Sequence, residues 1–284
     1  MVQRLPGGYF VDPADPRAPS QEVWNGLTPD ERARVVATLP IQVPLELQPP
    51  EGDPHWLAKA TARSTLDEFF RRAGRRIYVS SELAVYYPGE RRFSPDVLAV
   101  LDVEPRQRTS WIVADEGKGL DFVLEVHFAG DREKDYETNV DLYARLGVAE
   151  YFVFDCRRFD LRGHRLPPPA GSRARTYRPI LPQGGRYASQ VLGLDLMTEG
   201  PRLRFFHGTA PLLEADELVA KLGSALDEVI AHKQEAEQRA VDEAKRAADE
   251  AKRADDEAKR VIELQRRVVE LEAELARLRG GGAT

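Results

Sequence analysis

The chain is almost devoid of cysteine: Cys156 is the only one in 284 residues. That excludes a disulfide framework and any cysteine-based zinc site, and it suits a reducing compartment. The opening residues, MVQRLPGGYF, carry one early charge with no hydrophobic stretch behind it, so no secretory signal is expected. No segment approaches the roughly 20 apolar residues of a membrane span. A soluble, cytoplasmic protein without membrane contact is the expectation. Excess positive charge is lacking too. A net charge of −6 argues against a sequence-independent DNA coat of the strongly basic kind.

What is present suffices for one sizeable core and an appendage, since 42% of the residues are hydrophobic. Charge is unevenly spread. Arg157, Arg158, Arg162, Arg165, Arg173, Arg175 and Arg178 lie in one stretch whose only acid is Asp160. Such a patch either meets phosphates or is a solvated basic loop balanced by acids elsewhere.

The first fifty or so residues are rich in proline and read as an irregular lead-in packed on the body (1–53). One short helix is expected at 28–39, with Thr28 as cap, Pro29 in the first turn and Glu31 at capping-box spacing. From His55 to about Ala73 a helical pattern follows. Leu57, Ala58, Ala62, Leu66, Phe69 and Phe70 form its apolar stripe, Lys59, Arg63, Asp67 and Arg71 fall elsewhere on the wheel, and Gly74 ends it. Short strands are expected at 77–79, 83–87, 97–101, 121–127 and 150–155, with more near 186–188 and 202–207. A helix over 131–146, stopped by Gly147, joins two of these. The resulting strand–helix–strand unit predicts parallel neighbours and an α/β body with a mixed central sheet flanked by helices. The stretch after Asp155, with Pro167, Pro168 and Pro169, reads as a loop or loose hairpin. The body is placed at 54–212.

The tail differs in kind. DEAKRAA at 242, DEAKRAD at 249 and DEAKRVI at 256 form a seven-residue repeat. Each leading aspartate precedes an arginine by four residues, a helix-stabilising pair worth about 0.3 kcal/mol. Val261, Leu264, Val268, Leu271, Leu275 and Leu278 then alternate by three and four, a seam for a partner helix, whereas the upstream seam is only alanine. A long helix at 213–279 is expected, its last turns forming a coiled coil with a second copy, and a disordered tail at 280–284.

Candidate chemistry converges on the sheet. Ser94-Pro95-Asp96 opens the strand 97–101. Glu125 lies inside an apolar strand whose alternation puts Val123, Glu125 and His127 on one face. An unpaired carboxylate there costs several kcal/mol or shifts its pKa until neutral. A hard divalent cation is one solution; pairing with an arginine such as Arg92 is another. Lys134 brings an ammonium to the start of the next helix, or is only a surface lysine. Two carboxylates on adjacent strands with a lysine are what phosphodiester hydrolysis requires.

The blocks SPDVLAV and DFVLEV, the spacing Asp135, Asn139, Tyr143, and the run LGVAEYFVFD resemble the Uma-two-like family of the PD-(D/E)XK nuclease superfamily. Four blocks in order, from about Pro54 to Phe206, carry the resemblance, and His55 is similar to a histidine often found there. It implies a restriction-endonuclease-like core and Mg²⁺ or Mn²⁺ held by Asp96, Glu125 and the backbone carbonyl of Val126. Two departures stand out. The superfamily lysine two residues after the glutamate is His127, and the helix lysine of this branch is Asn139. A serine often found after the Glu-Val strand is also missing. The leading expectation is a metal-dependent endodeoxyribonuclease with Lys134 or His127 assisting the water. Arg157, Arg158, Arg162 and Arg165 would contact phosphates, and no small-molecule cofactor is needed. The competing readings are a non-catalytic DNA-binding or assembly module, and a protein whose tail is the functional part.

Overall fold

The computed structural model of the protein describes residues 9–12, 14–41, 52–128, 132–168 and 175–280. Two short helices open it. α1 (Gln21–Gly26) is capped by the Ser20 hydroxyl, and α2 (Pro29–Thr38) has the full capping box of Thr28 and Glu31. α1 was not expected; six residues are too few for periodicity to show. Trp24, Val35 and Leu39 bury their side chains against Ala84, Tyr86 and Ile112, which attaches these helices to the body.

In chain order there follow α3 (Asp53–Arg72), β1 (Ile77–Ser80), β2 (Ala84–Tyr86), β3 (Val97–Leu101), β4 (Ser110–Ile112), α4 (Val113–Glu116) and β5 (Phe122–His127). A π-turn (Lys134–Thr138) leads directly into α5 (Asn139–Leu146), which Gly147 ends at φ +85°. Then come β6 (Glu150–Asp155), β7 (Asp160–Arg165), β8 (Arg178–Ile180), β9 (Tyr187–Ser189), β10 (Leu194–Glu199), β11 (Arg202–His207), β12 (Ala210–Pro211) and α6 (Ala215–Gly280).

The central sheet runs β1-β3-β5-β6-β7-β8. Only the β5–β6 pair within it is parallel, as the strand–helix–strand pattern requires. Every residue of these two strands is buried, because both faces of the sheet are covered. On one face Ala62, Leu66 and Phe70 of α3 and the four-stranded sheet β12-β11-β10-β9 pack on Val97, Leu124 and Phe152. On the other, Tyr143 and Ala144 of α5, with Val85 of β2 and Trp111 of β4, pack on Leu98, Val123 and Val153. The segment after Asp155 is a strand pair: β7 returns antiparallel beside β6. The mixed α/β body is thus as expected, with more strands in its second half.

The chain divides into two units, Met1–Glu217 and Leu218–Thr284. Arg204 fixes the first turn of α6 to β11 through Glu214 (2.8 Å) and Glu217 (3.0 Å). The second unit is helical to Gly280; its described side chains from Val219 through Arg277 are all exposed. At 1.5 Å per residue α6 is about 100 Å long. The expected disordered tail lies outside the described residues, except for Gly280. Among the described residues, no helix is long and apolar enough to cross a membrane.

Candidate functional site

Two buried glutamates stand in neighbouring strands of the central sheet, and the fold treats them differently. Glu150, at the start of β6, receives Arg165 Nε at 2.6 Å and the Gln190 N–H at 2.9 Å, together with the Ser189 hydroxyl. Glu125, in β5, is paired with no arginine among the described residues. Its Oε1 accepts from the Tyr143 hydroxyl at 2.6 Å and its Oε2 from the Asp96 N–H at 3.1 Å. The register Val97↔Leu124 and Leu98↔Val123 sets Asp96 opposite Glu125. Two acids therefore meet at one end of the β3–β5 pair.

Asp96 is held on several sides. Its Oδ2 accepts from the Val126 N–H at 2.7 Å and lies 3.3 Å from His55 Nε2. Its Oδ1 is 3.7 Å from Lys59 Nζ, and its backbone carbonyl accepts from Ser81 Oγ at 2.6 Å. Burial pushes the Asp96 pKa up, but the His55 bond and charge, the Val126 N–H and the Lys59 charge outweigh it and hold it below the usual value. Glu125 goes the opposite way. Burial and the charge of Asp96 raise it well above the ordinary glutamate value, against the bonds from Tyr143 and the Asp96 N–H. For His55, burial lowers the pKa, but Asp96, the Val126 backbone and Glu82 raise it overall.

A second cluster adjoins the first. His127 Nδ1 is 2.8 Å from Asp135 Oδ2, while Asn139 Nδ2 donates to Asp135 Oδ1 at 3.4 Å and the Tyr151 hydroxyl to the Asp135 carbonyl at 2.8 Å. Asp135 is raised by burial despite its bond to His127. Val126 presents its backbone between these clusters.

The structure thus brings together Asp96, Glu125, Val126, His55 and Tyr143, with His127, Asp135 and Asn139 beside them. Lys134 is not drawn in: it is exposed on the π-turn and forms no bond with either carboxylate. Among the arginines, Arg157 and Arg158 are exposed just after β6, with Arg157 5.9 Å over the Phe128 ring. Arg162 is also exposed, 4.9 Å over the Tyr136 ring, while Arg165 is engaged by Glu150. Arg173 lies outside the described residues.

Lys59 is what the sequence pattern missed. Placed off the apolar stripe of α3, it is instead buried, and Leu57, placed on that stripe, is exposed. The true inner stripe is His55, Lys59, Ala62, Leu66 and Phe70, at spacings of four, three, four and four. The signal is a lysine one turn after His55, in line with the core positions.

Hard oxygen donors are what this site offers an ion. Two carboxylates and one carbonyl suit Mg²⁺ or Mn²⁺, and two acids buried face to face, one of them pushed toward its neutral form, are the kind of pair that a cation relieves. Among the described residues no three His, Cys, Asp or Glu side chains form a ready-made metal cluster. The set here is two side chains and a backbone oxygen.

The family model for Uma2, described as a putative restriction endonuclease, matches residues 43–199. The chain belongs to the Uma2 family. The match spans the central sheet, both acids and the helix after β5, and reaches into the lead-in, whereas α6 lies outside it. A crystal structure of a putative nuclease belonging to DUF820 from Anabaena variabilis is similar over 41% of this chain and 65% of that one, at 15% identity and a TM-score of 0.34. The chain therefore spans just under two thirds of that protein's length. No curated protein matches.

Proposed function

We propose that this Uma2 protein is a metal-dependent endonuclease that hydrolyses phosphodiester bonds of DNA. The observation that carries the reading is the pair of opposed acids, Asp96 and Glu125, buried on adjacent strands with no arginine on Glu125 among the described residues. Asp96, Glu125 and the Val126 carbonyl would hold Mg²⁺ or Mn²⁺, which supplies positive charge to the phosphate and acidifies a water. His55 and the Val126 N–H fix Asp96; Tyr143 fixes Glu125. His127, anchored through Nδ1 on Asp135, keeps Nε2 as the ring nitrogen for a water or a phosphate oxygen. In the reaction the water oxygen bonds to phosphorus as the bond to the leaving sugar oxygen breaks. The water gives up one proton and the departing oxygen takes one up.

DNA is the substrate this reading favours. Arg157, Arg158 and Arg162 are exposed close to the end of β5 that carries His127, since Asp155 pairs with His127. They suit phosphate oxygens better than Arg165 does. We also propose that α6 pairs with a second copy of the chain. Val261, Leu264, Val268, Leu271 and Leu275 are all exposed along one seam, between 46% and 65%.

The test is cleavage of supercoiled plasmid and single-stranded DNA with Mg²⁺ or Mn²⁺, beside D96N and E125Q. Cutting by the wild type that both substitutions abolish supports the proposal. Cutting that survives both would sink it. One observation favours a second reading: Asn139 stands where the family's helix lysine is expected, as in a module that binds DNA without cutting it. Tight, salt-dependent binding with no cleavage under any metal is its signature.

A further inference from the structure

We propose that Lys59 is the cation of this site, taking on α3 the place left empty of charge at Asn139. The inference rests on the nuclease reading above and adds to it the residue whose charge meets the scissile phosphate. Lys59 lies one turn after His55 on the buried stripe of α3, its side chain 3% exposed. Lysine is seldom buried to that extent without anionic partners. Here they are Asp96, whose Oδ1 is 3.7 Å from Nζ, and Glu82, with which it forms a close ion pair. The ammonium is thus directed at the acid already assigned to the metal.

The other positions named for this role fit it less well. Lys134 is exposed, Asn139 carries no charge and points its amide at Asp135, and His127 is committed to Asp135 through Nδ1. Glu82 supplies a separate argument. It adopts φ +54°, a left-handed conformation that a residue with a side chain adopts only at a cost. Its N–H bonds to the Pro95 carbonyl at 3.0 Å, and neighbouring Ser81 bonds to the Asp96 carbonyl at 2.6 Å. The turn is therefore tied to the backbone of Asp96 itself and presents its carboxylate to Lys59. Asp102 and Phe159 share this conformation, but only the Glu82 turn is tied to Asp96 and paired with Lys59.

The role is electrostatic. A fixed ammonium beside Asp96 offsets the charge that builds on the phosphate as the water attacks, and no proton leaves it. The same ammonium opposes a divalent ion on Asp96. Removing it should slow cleavage while leaving metal binding equal or tighter, whereas a merely structural residue would lower both.

The experiment uses the full chain as wild type, D96N, K59M, K59R and E82Q. It measures plasmid cleavage in Mn²⁺, Mn²⁺ affinity by calorimetry, and melting in EDTA. K59M should cut about 100-fold or more slowly, bind Mn²⁺ at least as tightly as the wild type, and be partly rescued in K59R. E82Q changes a half-exposed carboxylate and tests the same point if K59M does not fold. It should lose about 10-fold in rate because Lys59 is no longer held in place. K59M or E82Q cutting at the wild-type rate while D96N is inert would overturn the assignment. Loss of Mn²⁺ binding together with cleavage in K59M would overturn it too. A wild type that never cuts, or a D96N that does, removes the nuclease reading and this inference with it.

Discussion

Changing Glu125 to Gln should stabilise the metal-free protein. The Glu125 carboxyl is buried beside Asp96 with two bonds, from Tyr143 and from the Asp96 N–H, and among the described residues no cationic side chain pairs with it when it ionises. An amide keeps the shape, and the Tyr143 hydroxyl can accept from it where it formerly donated. Relieving a buried, uncompensated group is worth about 1–3 kcal/mol. For a body of this size each kcal/mol moves Tm by about 2–4 °C, so a rise of about 2–12 °C in EDTA is expected at pH 8. The effect has a pH signature. The folded protein holds the Glu125 proton more tightly than the unfolded chain does. Wild-type stability therefore falls as pH rises above the unfolded carboxylate value of about 4.3, and stops falling once the raised folded value is passed. E125Q lacks this one contribution, so the gap between the two should be near zero at pH 4 and widen upward. Calorimetric melts from pH 4 to 9 measure it. An ion at 100 times its Kd should also stabilise the wild type by about 2.7 kcal/mol, and E125Q far less. A variant that melts lower than the wild type at every pH, or gains equally from Mn²⁺, refutes the account.

Further outcomes follow from the same contacts. Mn²⁺ affinity should rise with pH, because the ion must displace the proton that burial keeps on Glu125; calorimetry in two buffers would show the released proton. Y143F removes the bond that lowers the Glu125 pKa and should move that pH dependence upward; an unchanged profile counts against it. Replacing Arg157, Arg158 and Arg162 by alanine should weaken DNA binding at all sequences and flatten its salt slope by about 3, as filter binding at several salt concentrations would reveal. Removing residues 235–284 should convert a dimer to a monomer in light scattering; an unchanged oligomeric state ends the pairing proposal.

Much of this was legible because the decisive signals were local. β3, β6 and β11 match their expected limits: β3 and β6 are short apolar runs bounded by turns or charges, and β11 carries the Phe205–Phe206 pair and ends at His207, before Gly208. The Thr28 cap and the Gly74 and Gly147 stops also stand where the residue types demand them. Alternation put Glu125 on the face of Val123, and the register then brought Asp96 to it. What escaped was relational. Arg165 looked like one of seven loop arginines, but pairing of β7 with β6 sends it to Glu150, a partner fifteen residues away. Lys59 escapes because charge ordinarily marks the outer face of a helix, and only α3 docking on the Asp96 strand turns it inward. β10 and β12 carry no clean alternation of their own and are defined by pairing with β11.

The π-turn deserves a last look for what it does to direction. In a pure α-helix, Asp135 and Tyr143, eight residues apart, would point about 80° away from each other. One wider turn before Asn139 takes back much of that rotation, so a single short rod can serve His127 with one side chain and Glu125 with another. Losing one residue between Lys134 and Thr138 would therefore misaim one of them while leaving the helix as stable as before, or more so. The segment's length acts as an angular adjustment, and its tolerance to deletion should be far lower than that of an ordinary surface helix.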